Sequence, residues 1–125
     1  MRILVTGGAG FIGSRLVDKL VHEGYKVRVV DNLSSGRAEN LGRHIDSNAI
    51  ELVIGDLKDP HIALRSVEDA DVVFHFVANP EVRVSNIDPE THFNENIVAI
   101  FNLLEAMRKN AKESVCVIKF SIWRA

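Results

Sequence analysis

Five short apolar runs recur along the chain: Arg2–Thr6 (RILVT), Lys26–Asp31 (KVRVVD), Ile50–Ile54 (IELVI), Asp71–Val77 (DVVFHFV) and Val115–Phe120 (VCVIKF). Their shortness and β-branched content predict strands. Several are nearly continuous rather than alternating, the pattern of parallel strands covered on both faces. The segments between them carry a different period. Ile12, Leu16 and Leu20, widened by Val17 and Val21, form one helical face from about Gly10, and Gly24 stands where a helix ends. Asp88 and Pro89 open a second strong helix as cap and first residue. Phe93, Ile97, Ile100, Phe101 and Leu104 then recur at helical spacing to about Lys109. A weaker helical stretch covers His61–Val67. The polar segment Asn32–Asn48 reads as loop with a short helix. This order predicts an α/β fold, a doubly wound parallel sheet with right-handed crossovers.

The length, 125 residues, suits one domain that buries roughly two thirds of its unfolded surface. With 46% apolar and 26% charged residues the composition is that of a globular protein. A formal charge of −2 offers no basic face for nucleic acid and no polybasic membrane patch. No apolar run reaches the length of a membrane span, and "MRILVTGG" turns glycine-rich too soon for a signal peptide, so a cytoplasmic location is expected. A single cysteine, Cys116, excludes an internal disulfide, and its apolar setting predicts an inert buried thiol.

The chemistry is concentrated where the first strand meets the first helix, in "VTGGAGFIGS". Gly8, Gly10 and Gly13 satisfy G-x-G-x-x-G, and Gly7, Gly10 and Gly13 satisfy G-x-x-G-x-x-G. An early glycine permits the tight turn, Gly10 lets a pyrophosphate approach the backbone, and Gly13 lets helix and sheet pack closely. Free amides and the dipole at the helix start then favour the phosphates. The strand before and helix after give the pattern its required context, against the alternative of an ordinary tight turn. Asp31 closes the second strand about 20 positions on, where a carboxylate meets the adenosine ribose and repels a 2′-phosphate. That favours NAD over NADP, with Arg37 as the competing signal. Turn capping is the alternative role for Asp31. Asp56, after the third strand, is placed to meet the adenine.

"TGGAGFIGS", "DNLSSG", "GDL" and "VVFHFVANP", in this order and spacing, resemble the extended short-chain dehydrogenase/reductase family, within it the NAD-dependent epimerase/dehydratase group. "DNLSSG" is most similar to the UDP-glucose 4-epimerase branch. The resemblance extends to about Phe120 and implies a Rossmann-type NAD-binding domain over residues 1–125. It implies pyrophosphate contacts from the amides of Phe11 and Ile12, and ribose contacts around Asn32, Ser35 and Gly36. Asp56 and Leu57 would flank the adenine. Phe76, Val77 and Ala78 would line the nicotinamide side, and Asn96 would reach back toward the nicotinamide ribose or pyrophosphate. It further implies a nucleotide-sugar substrate and a homodimer through the 88–109 helix. Val77 departs from the group's usual alanine, and Pro80 stands where some epimerases have lysine.

Members of this family place a catalytic Ser or Thr in a serine-rich turn after the fifth strand and a Tyr-x-x-x-Lys pair on the next helix. Here Ser121 matches only the first position of that turn, with Ile122 and Trp123 next, and the only tyrosine is Tyr25, outside any such pattern. The expectation is a fold truncated after about the fifth strand, an incomplete domain without the C-terminal substrate-binding region, which binds dinucleotide without turnover. A shifted reading frame, a truncation and a genuinely short protein are alternative origins of this ending. A short nucleotide-binding or regulatory module, and a different epimerase or dehydratase of the same group, are the alternative functions. The five histidines show no metal-binding spacing. His75, within an apolar strand, reads as a satisfied core histidine. Ser85 and Asn79 lie where the family approaches substrate.

Overall fold

The computed structural model describes residues 1–34, 36–76, 90, 97–110 and 113–118. Strand β1 (Arg2–Thr6) leads into helix α1 (Phe11–His22), then β2 (Lys26–Asp31), a 3-10 turn (Ala38–Leu41), α2 (Gly42–Asp46) and β3 (Ile50–Ile54). Helix α3 (Pro60–Val67), β4 (Val72–His75), α4 (Ala99–Lys109) and β5 (Val115–Ile118) follow. The five strands are all parallel in the order β3-β2-β1-β4-β5. The order reverses between β1 and β4, where Thr6 stands in register with His75. That reversal opens a crevice at the carboxyl ends of the strands, the place where open α/β sheets bind ligands.

Each face of the sheet has its own core. On one side Ile3, Val5, Val27 and Val29 pack with Val17 and Leu20 of α1 and with Leu41. On the other, Leu4, Val30, Val53 and Val73 pack with Ala63 and Val67 of α3 and with Ala99, Leu103 and Ala106 of α4. Helix α1 ends as its sequence predicts: Gly24 has φ +88°, its N–H donates to Val21 O, and the Tyr25 N–H reaches Leu20 O. Helix α3 is better specified than its weak period suggests. Pro60 occupies its first turn, and the Asp59 carboxylate accepts the His61 N–H at 2.9 Å.

One expectation about side chains is corrected. Ile12, grouped with Leu16 and Leu20 on the apolar face of α1, is exposed, because the buried side of that helix is set by Gly13, Ser14, Val17 and Leu20. On α4 the stripe Ile97, Phe101 and Leu104 points outward, with exposures of 50%, 61% and 44%. The packed face is Ala99, Leu103 and Ala106, whose two alanines let α4 lie close to α3 and the sheet. Both stripes have helical spacing. They are offset by two residues, about 200° around the helix at about 100° per residue, so the helix is apolar on opposite sides. Arg28, within the almost wholly buried β2, is buried too. It donates to Ser66 O at 2.9 Å and Glu68 O at 2.7 Å, capping the end of α3, and to Glu51 Oε2 at 2.9 Å. The expected segments 71–77, 88–109 and 115–120 extend beyond the described residues. Within them β4, α4 and β5 are observed, and α4 ends at Lys109 as predicted.

Candidate functional site

The crevice is walled by the loop between β1 and α1. Gly7 adopts φ +69°, a conformation that L side chains rarely take, and its N–H donates to Val30 O at 2.8 Å. Gly8 faces Val29: a Cβ there would lie 2.6 Å from a methyl of that buried, stiff side chain. At Gly13 a Cβ would collide with the Gly7 carbonyl oxygen and sit 2.8 Å from Gly8 Cα. The fold itself therefore demands these three glycines. Gly10 is different. Its φ and ψ are −76° and 178°, open to any residue, and a Cβ would meet only Gly7 O, at 3.3 Å. Little inside the protein requires glycine there. Gly10 is the N-cap of α1, whose start has no side-chain cap and no acidic residue in its first turn. Such a helix start leaves backbone N–H groups and the positive dipole end for an outside acceptor.

Asp31 closes β2 beside this loop and is only 7% exposed. Its Oδ2 accepts the Ala9 N–H at 3.0 Å, and its Oδ1 accepts the Leu33 N–H at 2.8 Å. The second bond holds Leu33 at φ +61°, a left-handed conformation that costs about 1–2 kcal/mol for a residue with a Cβ. An ionised carboxylate has about four acceptor positions, so two remain for hydroxyl donors. Gly36 presses against the same carboxylate: a Cβ on it would lie 3.0 Å from Asp31 Oδ2 and 2.9 Å from the Ala9 carbonyl carbon. Beyond, Asn32 Nδ2 donates to Asp56 Oδ2 at 3.3 Å, and Asp56 Oδ1 accepts the Lys58 N–H at 2.9 Å.

On the β4 side, Thr6 Oγ1 lies 2.7 Å from His75 Nδ1 and accepts the Phe76 N–H at 3.1 Å. Burial pulls the His75 ring down to about 4 from its ordinary 6.5, so it is neutral at pH 7. Phe76 stacks on Phe74 with centroids 6.4 Å apart. Phe11 is exposed at the mouth, with the Arg15 guanidinium 4.5 Å from its ring centroid. Tyr25 precedes β2 and so lies at the opposite end of the sheet. Cys116 packs against the core beside α4, and burial pushes its thiol up. Among the described residues no cluster of His, Cys, Asp and Glu could hold a metal ion, and no helix is long and apolar enough to cross a membrane.

The model of the NAD dependent epimerase/dehydratase family matches residues 3–120. The chain belongs to this family. It is 44% identical over 109 residues to a UDP-glucose 4-epimerase of Mycolicibacterium smegmatis, covering 86% of this chain and 35% of that one. It superposes on a crystal structure of a UDP-galactose 4-epimerase with a TM-score of 0.79 and 56% identity, covering 92% of this chain and 37% of the other. A Thermus thermophilus UDP-glucose 4-epimerase, solved in complex with NAD, gives a TM-score of 0.81 at 38% identity, with 92% of this chain and 36% of that one covered. The chain thus spans about a third of the length of these relatives. Its five-stranded parallel sheet is the Rossmann-like fold of these epimerases.

Within this epimerase/dehydratase fold, Gly7, Gly10, Phe11, Ile12, Gly13, Asp31, Asn32, Gly36, Asp56 and Phe76 gather along the carboxyl ends of β1 to β4. Leu57 follows Asp56 in the chain, but its side chain is buried in the core with Val53, Ala63 and Leu103, and its carbonyl accepts Asn102 Nδ2 of α4 at 2.8 Å. Ser35, Val77, Ala78 and Asn96, with Asn79, Pro80, Ser85 and Ser121, lie outside the described residues. Two contributors escaped the sequence reading. Thr6 appears there only as the end of an apolar run, and Asn40 only as one polar residue in a loop.

Proposed function

We propose that this chain binds NAD across the crevice between β1 and β4, as the dinucleotide-binding part of a UDP-glucose 4-epimerase-like member of the family. The observation that carries this reading is Gly10: its missing side chain is required neither by backbone conformation nor by more than one internal contact, and it stands at an uncapped helix start. A pyrophosphate approaching that backbone supplies the missing requirement. Asp31 supplies ribose acceptors on its two remaining positions, and its negative charge favours NAD over a 2′-phosphorylated cofactor. The resemblance adds Asn32, Ser35 and Gly36 to the ribose site and Asp56 and Leu57 to the adenine site. It adds Phe76, Val77, Ala78 and Asn96 on the nicotinamide side.

NAD held there supplies a hydride acceptor for a nucleotide-sugar carbon. The chain's own residues bind and orient the dinucleotide. These 125 residues contain no Tyr-x-x-x-Lys pair to move a sugar proton, and the function proposed for them is binding of the dinucleotide. The outward stripe of α4 supports a second copy packing on this helix, as the resemblance implies. Calorimetric titration of NAD into the folded chain tests the central point. Saturable binding is expected, and a folded sample without affinity overturns it. A dehydratase of the same family is the second reading, since the family description spans both activities. The sugar-nucleotide product of a full-length relative carrying this domain separates the two.

A further inference from the structure

Ala9 lies at the centre of the glycine loop with no exposed surface, and both its main-chain polar groups are engaged. Its N–H donates to Asp31 Oδ2. Its carbonyl oxygen accepts two hydrogen bonds, from Asn40 Nδ2 at 2.8 Å and from the Arg37 N–H at 3.1 Å. The Ala9 carbonyl and the Gly10 N–H share one rigid peptide plane. That N–H donates to Gly7 O at 3.1 Å. The plane is therefore held at both ends, by Gly7 within the loop and by Asn40 and Arg37 from beyond β2.

The next residue, Gly10, is the N-cap of α1 and the least restrained residue type at that position. The plane in front of it sets the direction in which the first turn leaves the loop, and with it the aim of the amides of Phe11 and Ile12. Asn40 is itself firmly placed. It belongs to the 3-10 turn Ala38–Leu41, its N–H donates to Arg37 O at 3.0 Å, and its neighbour Leu41 is wholly buried. The following helix α2 is pinned to α1 through His44 and Asp18.

The geometry points to Asn40 as a positioning residue for the dinucleotide, acting through the Ala9 carbonyl to aim the amides that face the pyrophosphate; this rests on the NAD reading above. Asn40 acts through the Ala9 carbonyl and touches no ligand itself. Its carboxamide replaces a solvent bond that the buried carbonyl cannot make, and it joins the ribose side of the site to the pyrophosphate side before any ligand arrives.

The test compares ADP with adenosine, which lacks the pyrophosphate, on the whole chain and its Asn40→Asp variant. The carboxylate keeps the shape but cannot donate to Ala9 O. ADP affinity is expected to fall about tenfold or more relative to adenosine, the scale of one buried hydrogen bond replaced by an acceptor clash. The ligand-free melting midpoint should shift by only a few degrees. Equal losses for ADP and adenosine would mark Asn40 as merely structural and overturn the proposal. Unchanged ADP affinity overturns it too, while leaving the NAD reading intact. A wild-type chain that is folded and binds neither ADP nor NAD removes that reading and the proposal together. Should Asn40→Asp fail to fold, Asn40→Ala removes the donor without adding a charge, and the same ratio decides.

Discussion

The hydroxyl of Thr6 and Nδ1 of His75 meet at 2.7 Å, joining the carboxyl ends of β1 and β4 where the strand order reverses. Both residues are buried, and the hydroxyl also accepts the Phe76 N–H. One proton and two lone pairs let it serve both partners.

This buried pair makes stability depend on pH. The His75 ring titrates at about 4 in the fold, against 6.5 as its ordinary value. Between those values the unfolded chain binds a proton that the native state refuses. Stability is therefore full above about pH 6.5 and is lost as pH falls toward 4, by about 3 kcal/mol for this group. Urea denaturation from pH 7 down to 4 measures it. His75→Asn, whose amide can stand in for Nδ1, should flatten this part of the profile. An unchanged slope in the variant would assign the effect to other groups.

The glycines separate fold from ligand. Gly13→Ala drives a methyl into the Gly7 carbonyl and should destabilise by about 1–3 kcal/mol. Gly10→Ala meets one atom at 3.3 Å and should change stability by no more than about 1 kcal/mol while weakening NAD at least about tenfold. Melting curves and NAD titrations on both variants give the comparison. A Gly10→Ala protein with wild-type affinity would remove the pyrophosphate from that position.

Arg28 stabilises the fold chiefly through the end of α3. Arg28→Met strands the Ser66 and Glu68 carbonyls and should cost about 3 kcal/mol in urea denaturation. Glu51→Gln leaves that cap in place and removes only a half-exposed ion pair, so its effect should stay below about 1 kcal/mol. Equal costs for the two substitutions would make the ion pair the principal contribution.

The outward stripe of α4 predicts an association surface. Phe101→Glu should convert a dimer to a monomer in light scattering across a concentration series. The fold's own stability should move by only about 0.5 kcal/mol, because the side chain already faces solvent. A wild-type chain that is monomeric at every concentration contradicts the reading.

Much of this protein was written locally. The five apolar runs became five parallel strands because a run of four to six residues rich in β-branched side chains and bounded by turn residues has few other solutions. The glycine spacing, with a strand before and a helix after, located the crevice, and Asp31 followed from its place at a strand end. Where two local solutions were equivalent, neighbours decided. Helix α4 offers two apolar stripes of identical spacing, and only the fit of Ala99 and Ala106 against α3 and the sheet selected the inner one. The burial of Arg28 depends on the carbonyls at the end of α3, which only the fold brings over it. Asp31 reads as a ribose ligand or a turn cap, and its bond to the Leu33 N–H is that local cap; its bond to the Ala9 N–H joins segments that meet only in space. The sequence alone determined the strands, the helices and the chemical kind of the binding loop, since these follow from period and residue type within a few positions. The tertiary structure decided which faces are buried and how the loop is braced, because hydrogen bonds such as Asn40 to Ala9 join residues that no local pattern relates.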